Sequence, residues 1–242
     1  MNPLLHAAHR CARSLVATLV ATLLAAGLAG LASQAMAQNA APENPCGPLK
    51  NAYGPFDYRT QRGALGIVEG AHFNQETEML IRPMGRNFGG DFDYTLRASP
   101  NHHRALISMA RYSERVNMPK LNDTNWSVDC YFDRAMRFAK DDFIVRMIYA
   151  GHLTRTNRAT EALAQIDFVA SNASDNPFTH YNLGLLYLEI KRYDKALAQA
   201  HAAMQLGLQR TELRDALKKA GKWVEPRVAA PGEAASAASP AS

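Results

Sequence analysis

The stretch Leu183-Gly184-Leu185-Leu186-Tyr187, continued by Tyr193-Asp194-Lys195-Ala196-Leu197 and then Ala203, decides the fold. A glycine or alanine stands at each point where two antiparallel helices would touch, with leucine or tyrosine beside it. Helices approach closely only where side chains are small, and larger neighbours must fill the gaps beside them. Asn176-Pro177 opens the stretch with a capping acceptor, then proline at the first helical position, where a missing N–H costs nothing. Gly207 follows where a helix should end in the left-handed conformation, and Gly221 repeats that signal after the next segment.

The spacing recurs. Thirty-four residues upstream, Ala150, Leu153, Ala162, Leu163 and Val169 take the places of Gly184, Tyr187, Ala196, Leu197 and Ala203. A second step from the second helix reaches Val128 and Ala135. This period, with Leu-Gly-x-x-Tyr on a first helix and a small alanine entering the second, resembles the tetratricopeptide-repeat (TPR) family. The resemblance covers residues 99–223 and implies a mainly α fold, a TPR-type right-handed α-solenoid. Its helix pairs are expected at 100–115 with 126–139, 143–155 with 158–171, and 177–190 with 193–206, closed by a capping helix at 212–221. One pair cannot bury its apolar face alone, so stacked pairs share a continuous core. Ser99-Pro100, Asp123 to Asn125, Asp141-Asp142 and Asn157 are the candidate caps of the other helices. The first pair departs from the period: Leu106, Met109, Ala110 and Ser113 come six residues too early, and the loop 116–125 absorbs the difference.

In the TPR family, first-helix residues on the concave face bind peptides or partner helices. Carried over, the resemblance implies a groove of Met147, Ile148, Gly151 and Arg155 from the middle repeat and Phe178, Tyr181, Asn182 and Leu185 from the last. Asn182 stands before the Leu-Gly pair, where the family often uses asparagine to grip a ligand backbone. The apolar neighbours favour an extended peptide or an amphipathic helix. Lysine and arginine are sparse on these faces, which gives no support to a clamp for a terminal carboxylate. A groove filled permanently by the N-terminal arm or a second copy is the competing expectation.

The first 37 residues have the pattern of a secretory signal: Arg10 and Arg13, an uncharged apolar run from Leu15 to Leu31, then Ala35-Met36-Ala37 before Gln38. Periplasmic export with cleavage is expected, and an uncleaved inner-membrane anchor is the alternative, since the run approaches a spanning length. Cleavage would leave 25 basic residues against 22 acidic ones, a net charge of +3. Such mild, sign-alternating charge gives no reason to expect nucleic acid. Cys11 would leave with the signal, so Cys46 and Cys130 remain, an even number in an oxidising compartment. A Cys46–Cys130 disulfide is expected; two separate buried thiols are the alternative.

Between signal and repeats, residues 38–98 suggest an irregular arm with Pro42, Pro45, Pro48 and Pro55, then a small α/β element. Asn74 is placed to cap a short helix at 75–82 that Pro83 stops. Gly89-Gly90 suggests a chain break, and Phe92, Tyr94 and Leu96 alternate with polar residues like a strand paired with Ile67, Glu69, Ala71 and Phe73. The tail, 224–242, is mostly Ala, Ser, Pro and Gly, a composition expected to be disordered.

No Gly-rich phosphate loop, nucleophile elbow or H-E-x-x-H motif occurs. A non-catalytic adaptor without cofactor, binding an envelope protein or peptide, is therefore the leading expectation. A small-molecule or metal-binding envelope protein using His72, His102 and His103 is the alternative. Against it, adjacent histidines on a helix diverge too far to serve one ion, and hydrogen bonds between arm and repeats would employ them as well.

Overall fold

The computed structural model describes residues 44–172 and 175–226; the expected signal segment and residues 227–242 of the expected tail lie outside them. The chain divides into two units, Met1–Gly47 and Pro48–Ser242. In the first, residues 44–47 form a turn in which the Asn44 side chain accepts the Cys46 amide and its carbonyl accepts the Gly47 amide, both at 2.8 Å. Cys46 and Cys130 are both disulfide-bonded.

The second unit is mainly helical. After a 3-10 turn at Arg62–Leu65 come α1 (Gly66–His72), α2 (Gln75–Glu78), α3 (Phe88–Ala98), α4 (His103–Val116), α5 (Val128–Phe138), α6 (Phe143–Arg155), α7 (Ala159–Asn172), α8 (Pro177–Glu189), α9 (Tyr193–Gln205) and α10 (Glu212–Lys219). Strands are absent among the described residues, which overturns the expected hairpin. Its two segments are α1 and most of α3, because their buried residues follow the helical period. Leu65 of the preceding 3-10 turn and, one turn on, Val68 of α1 face the core, as do Phe88, Phe92, Leu96 and Thr95 of α3. Gly89-Gly90 is no break either. Asn87 caps α3 by accepting the Gly90 amide at 2.9 Å, and Gly89 lies in its first turn.

Other ends agree or shift for local reasons. Asn176 accepts the Phe178 and Thr179 amides ahead of Pro177, as expected. Asn74 accepts the Thr77 amide at 2.9 Å, although α2 stops at Glu78, short of Pro83. Ser99 ends α3 instead of opening α4, whose cap is the His102 imidazole, accepting the Ala105 amide at 3.1 Å. Ser127 caps α5. Asp142 precedes α6 but leaves its amides uncapped, because Asn101 and His103 occupy its carboxylate at 2.9 and 2.7 Å. Asn157 terminates α6 with a left-handed φ of 61° rather than starting α7, and Gly207 and Gly221 end α9 and α10 at positive φ.

The repeat period survives in the helix starts: 34 residues separate Phe143 from Pro177 and Ala159 from Tyr193. Positions one period apart share burial: Ala150 with Gly184, Leu153 with Tyr187, Ala162 with Ala196, Ile166 with Ala200, and Val169 with Ala203. α4 packs on α5, α6 on α7 and α8 on α9, while α4, α6, α8 and α10 touch in succession. Two clusters form the core. One joins Phe73, Phe92, Leu96 and Leu106 to Phe132 and Leu153; the other joins Ile166, Leu183 and Tyr187 to Leu213 and Leu217. Each such fully buried side chain contributes roughly 1.5–3 kcal/mol.

The arm from Pro48 onward is laid on this unit. The Phe56 amide donates to the Ala98 carbonyl at 2.9 Å, and the buried Tyr58 places its amide on Asn101 Oδ1 at 3.0 Å. Arg59 joins Asp57 at 2.7 Å to Asp141 at 2.9 Å. The arginine bonded to Asp57 holds that carboxyl well below the usual range, so the pair stays charged near neutrality.

Candidate functional site

α6 and α8 lie against each other with their period in register, so matching positions on the two helices flank the same seam. Ile144, Met147 and Ile148 on α6 and Asn182, Leu185 and Leu186 on α8 line an open depression of about 330 Å³. Most of its wall is hydrocarbon. Ile144 is 47% exposed and Leu185 36%, unusual for large aliphatic side chains set together. The Asn182 side chain is exposed and makes no hydrogen bond to another described residue, so both faces of its amide are available. Four expected groove residues, Met147, Ile148, Asn182 and Leu185, thus come together.

The other four do not join them in that depression. Tyr181 is buried with its back to it: the hydroxyl donates to Glu212 of α10 at 3.1 Å, and Arg210 lies 5.5 Å from its ring. Burial, then Glu212, raises the phenol above its ordinary value, so it remains a donor. Phe178 is 55% exposed at the start of α8, outside the lining. Gly151 is buried, and a side chain there would meet the Arg155 guanidinium, 3.1 Å from the position of a Cβ. Arg155 itself turns away to Glu114 of α4 at 2.7 Å.

That turn places Arg155 in a second, polar recess of about 360 Å³ among the ends of α4 and α6 and the start of α5. Glu114 binds the buried His152 Nδ1 at 2.7 Å as well as Arg155. Across the recess, Arg158 holds Asp129 at 2.8 Å and Glu161 at 2.7 Å. Burial, then Asp129, pushes the nearby Tyr149 hydroxyl up to about 12. Cations and carboxylates are matched pairwise here, so the recess is a fastening between helices.

The three singled-out histidines are likewise separate. His72 lies 3.1 Å from Asp91 and stacks on Tyr94; His102 lies 2.9 Å from Glu69; His103 lies 2.7 Å from Asp142. Each has its own carboxylate, and no group of three or more His, Cys, Asp or Glu able to hold a metal occurs among the described residues. Tyr58 of the arm packs on both His102 and His103, with ring centroids at 4.2 and 5.2 Å. They bind arm to helices.

Ile144 and Leu186 were missed in the sequence. The signal existed for Ile144, which stands one period before the exposed Phe178 and one turn before Met147 and Ile148. No family model, curated protein or solved structure matches the chain.

Proposed function

We propose that this chain is an exported TPR-type adaptor whose α6–α8 depression receives an apolar segment of another envelope protein, without chemistry. The repeat reading rests on the 34-residue spacing of helix starts and the succession α4, α6, α8, α10. The observation that carries the binding role is the depression itself: Ile144, Met147, Ile148, Leu185 and Leu186 offer apolar surface around one solvent-exposed amide, Asn182. An amphipathic helix or extended strand would bury its apolar side chains there and give a backbone group to Asn182. The signal pattern of residues 1–37 supports a periplasmic location.

A pull-down from crosslinked envelope extract tests this. The protein is compared with a Leu185→Glu, Asn182→Ala variant, both exposed positions whose replacement leaves the core intact. Recovery of a partner by the parent and its loss in the folded variant is the expected result. Equal recovery from both moves binding to another face and ends the groove reading.

A further inference from the structure

A second surface, unrelated to the groove, carries its own chemistry. Between α2 and α3 runs Met79-Leu80-Ile81-Arg82-Pro83-Met84-Gly85-Arg86. Met79 is 61% exposed, Ile81 66% and Met84 41%. Three large apolar side chains within six residues are thus turned to solvent.

The loop that holds them is fastened at both ends. The Leu80 and Ile81 amides donate to Thr77 and Glu76 carbonyls at 3.1 and 2.9 Å, and Thr77 Oγ1 donates to the Arg82 carbonyl at 3.2 Å. Buried Asp91 accepts the Met84 amide at 2.8 Å and the Gly85 amide at 3.0 Å. Leu80 takes a φ of 58°, costly for a branched side chain. This conformation packs Leu80 against the core and leaves Met79 and Ile81 outside it.

Arginines lie in the loop and along the helix it is fastened to. Arg82 and Arg86 belong to the loop, and Arg104, Arg111 and Arg115 share the face of α4 whose Arg104 and Ser108 bond Glu78. Glu76 neutralises Arg82 and Glu78 neutralises Arg104. Arg86, Arg111 and Arg115 are exposed and form no salt bridge among the described residues, although the Arg111 charge also reaches Glu78 at longer range. The excess of three positive charges equals the whole net charge expected of the exported chain.

We infer that this loop is a membrane-surface anchor: Met79, Ile81 and Met84 enter the headgroup–acyl boundary of an anionic bilayer while Arg86, Arg111 and Arg115 bind its phosphates. Apolar tips accompanied by arginine suit such a boundary, because guanidinium groups stay at phosphate level while the chains below them are apolar. A protein partner or a second copy is the alternative occupant.

The test places a tryptophan at the tip, Ile81→Trp, in the full chain. The native Trp126 and Trp223 signal is subtracted using the parent protein. The apolar run 15–31 can itself bind lipid, so whole-protein partition is not the readout; Trp emission at position 81 reports its own surroundings. On equimolar phosphatidylcholine–phosphatidylglycerol vesicles the emission shifts to the blue and is quenched by bromine on the acyl chains. At lipid saturating for the whole chain, adding Arg86→Gln and Arg111→Gln lowers the ratio of membrane-inserted to solvent-exposed tryptophan at position 81 by about 25-fold, at about fivefold per charge, with an unchanged far-ultraviolet spectrum as the folding control. Unquenched, solvent-like emission on these vesicles overturns the anchor. Equal quenching on pure phosphatidylcholine overturns its anionic selectivity and the inference with it. A blue shift without lipid that grows with protein concentration assigns the surface to self-association instead.

Discussion

A side chain on Gly184 would have its Cβ 2.3 Å from Leu213 Cδ2 and 3.4 Å from the Ala196 carbonyl oxygen. Gly184 is where α8 meets both its partner α9 and the closing helix α10. Alanine needs only a rotation of the Leu213 end, and the gain in helix propensity, about 1 kcal/mol, offsets much of the strain. Valine cannot be accommodated that way. Gly184→Val is expected to cost about 2–3 kcal/mol by overpacking. In the Leu213→Ala background that cost should largely vanish, a coupling of at least 1 kcal/mol, roughly, in a double-mutant cycle. Urea denaturation of the four proteins checks it; additive losses would mean the two residues do not share the space.

Gly89 makes the opposite case. Its hypothetical Cβ lies 2.0 Å from the Asn122 carbonyl oxygen, a backbone atom in the loop before α5. Backbone cannot swing aside as a leucine terminus can, so α3 or the loop must move. Gly89→Ala should therefore destabilise by about 2–4 kcal/mol, despite alanine's better helix propensity. Gly184→Ala should stay within about 1 kcal/mol of the parent. The reverse order in thermal melts would contradict these packing distances.

These two glycines also separate what the sequence could tell from what it could not. Gly184 was legible because its small size belongs to a repeated helix contact, echoed by Ala150 one period away. Gly89 looked like a chain break, because the reason for it, Asn122, is 33 residues distant and outside any local pattern. The expected strand at Phe92, Tyr94 and Leu96 failed similarly. Over so few residues, alternation and helical spacing both fit, and only the burial of Phe88 with Phe92 and Leu96 decides between them. At the candidate site, Met147, Ile148, Asn182 and Leu185, four residues named by the family resemblance, line one depression. Tyr181 lies outside that depression, with its hydroxyl bonded to Glu212 on the docked α10, a contact that no local pattern announces.

His102 makes stability depend on pH. Its Nδ1 accepts the Ala105 amide, so in the neutral ring the proton resides on Nε2, facing Glu69. Burial outweighs the pull of Glu69 and pushes the imidazolium down to about 4, against 6.5 for an ordinary histidine. Between those values the unfolded chain binds the extra proton. The contribution is therefore complete above pH 6.5 and is lost as pH falls through 4. Lowering pH from 7 to 5 should cost about 2 kcal/mol from this group. His102→Asn keeps a capping acceptor and cannot titrate. Its stability at pH 7 should be lower, since the Glu69 bond is gone, but its decline towards pH 5 should be shallower by about that amount. Denaturant midpoints at the two pH values measure the difference, and parallel declines would exclude His102 as the cause.

Binding and stability should separate at the groove. Leu185 is 36% exposed and Ile144 47%, so each side chain is only partly buried, and Leu185→Ser or Ile144→Ser should destabilise by about 1–1.5 kcal/mol and leave the protein folded. The depression they line has no other route to its apolar character than these side chains with Met147, Ile148 and Leu186. If a partner segment buries them, each serine variant should weaken its affinity by about tenfold, the usual scale for losing a central apolar contact. Phe178→Ser is the internal comparison: more exposed, on the same helix as Leu185, but outside the lining, it should weaken binding by less than about threefold. Titration calorimetry with the captured partner's binding segment would rank the three. A Phe178 variant that loses as much as Leu185 would extend the groove to the start of α8. Loss at Phe178 alone would place the partner on that end of the helix and leave the depression unused.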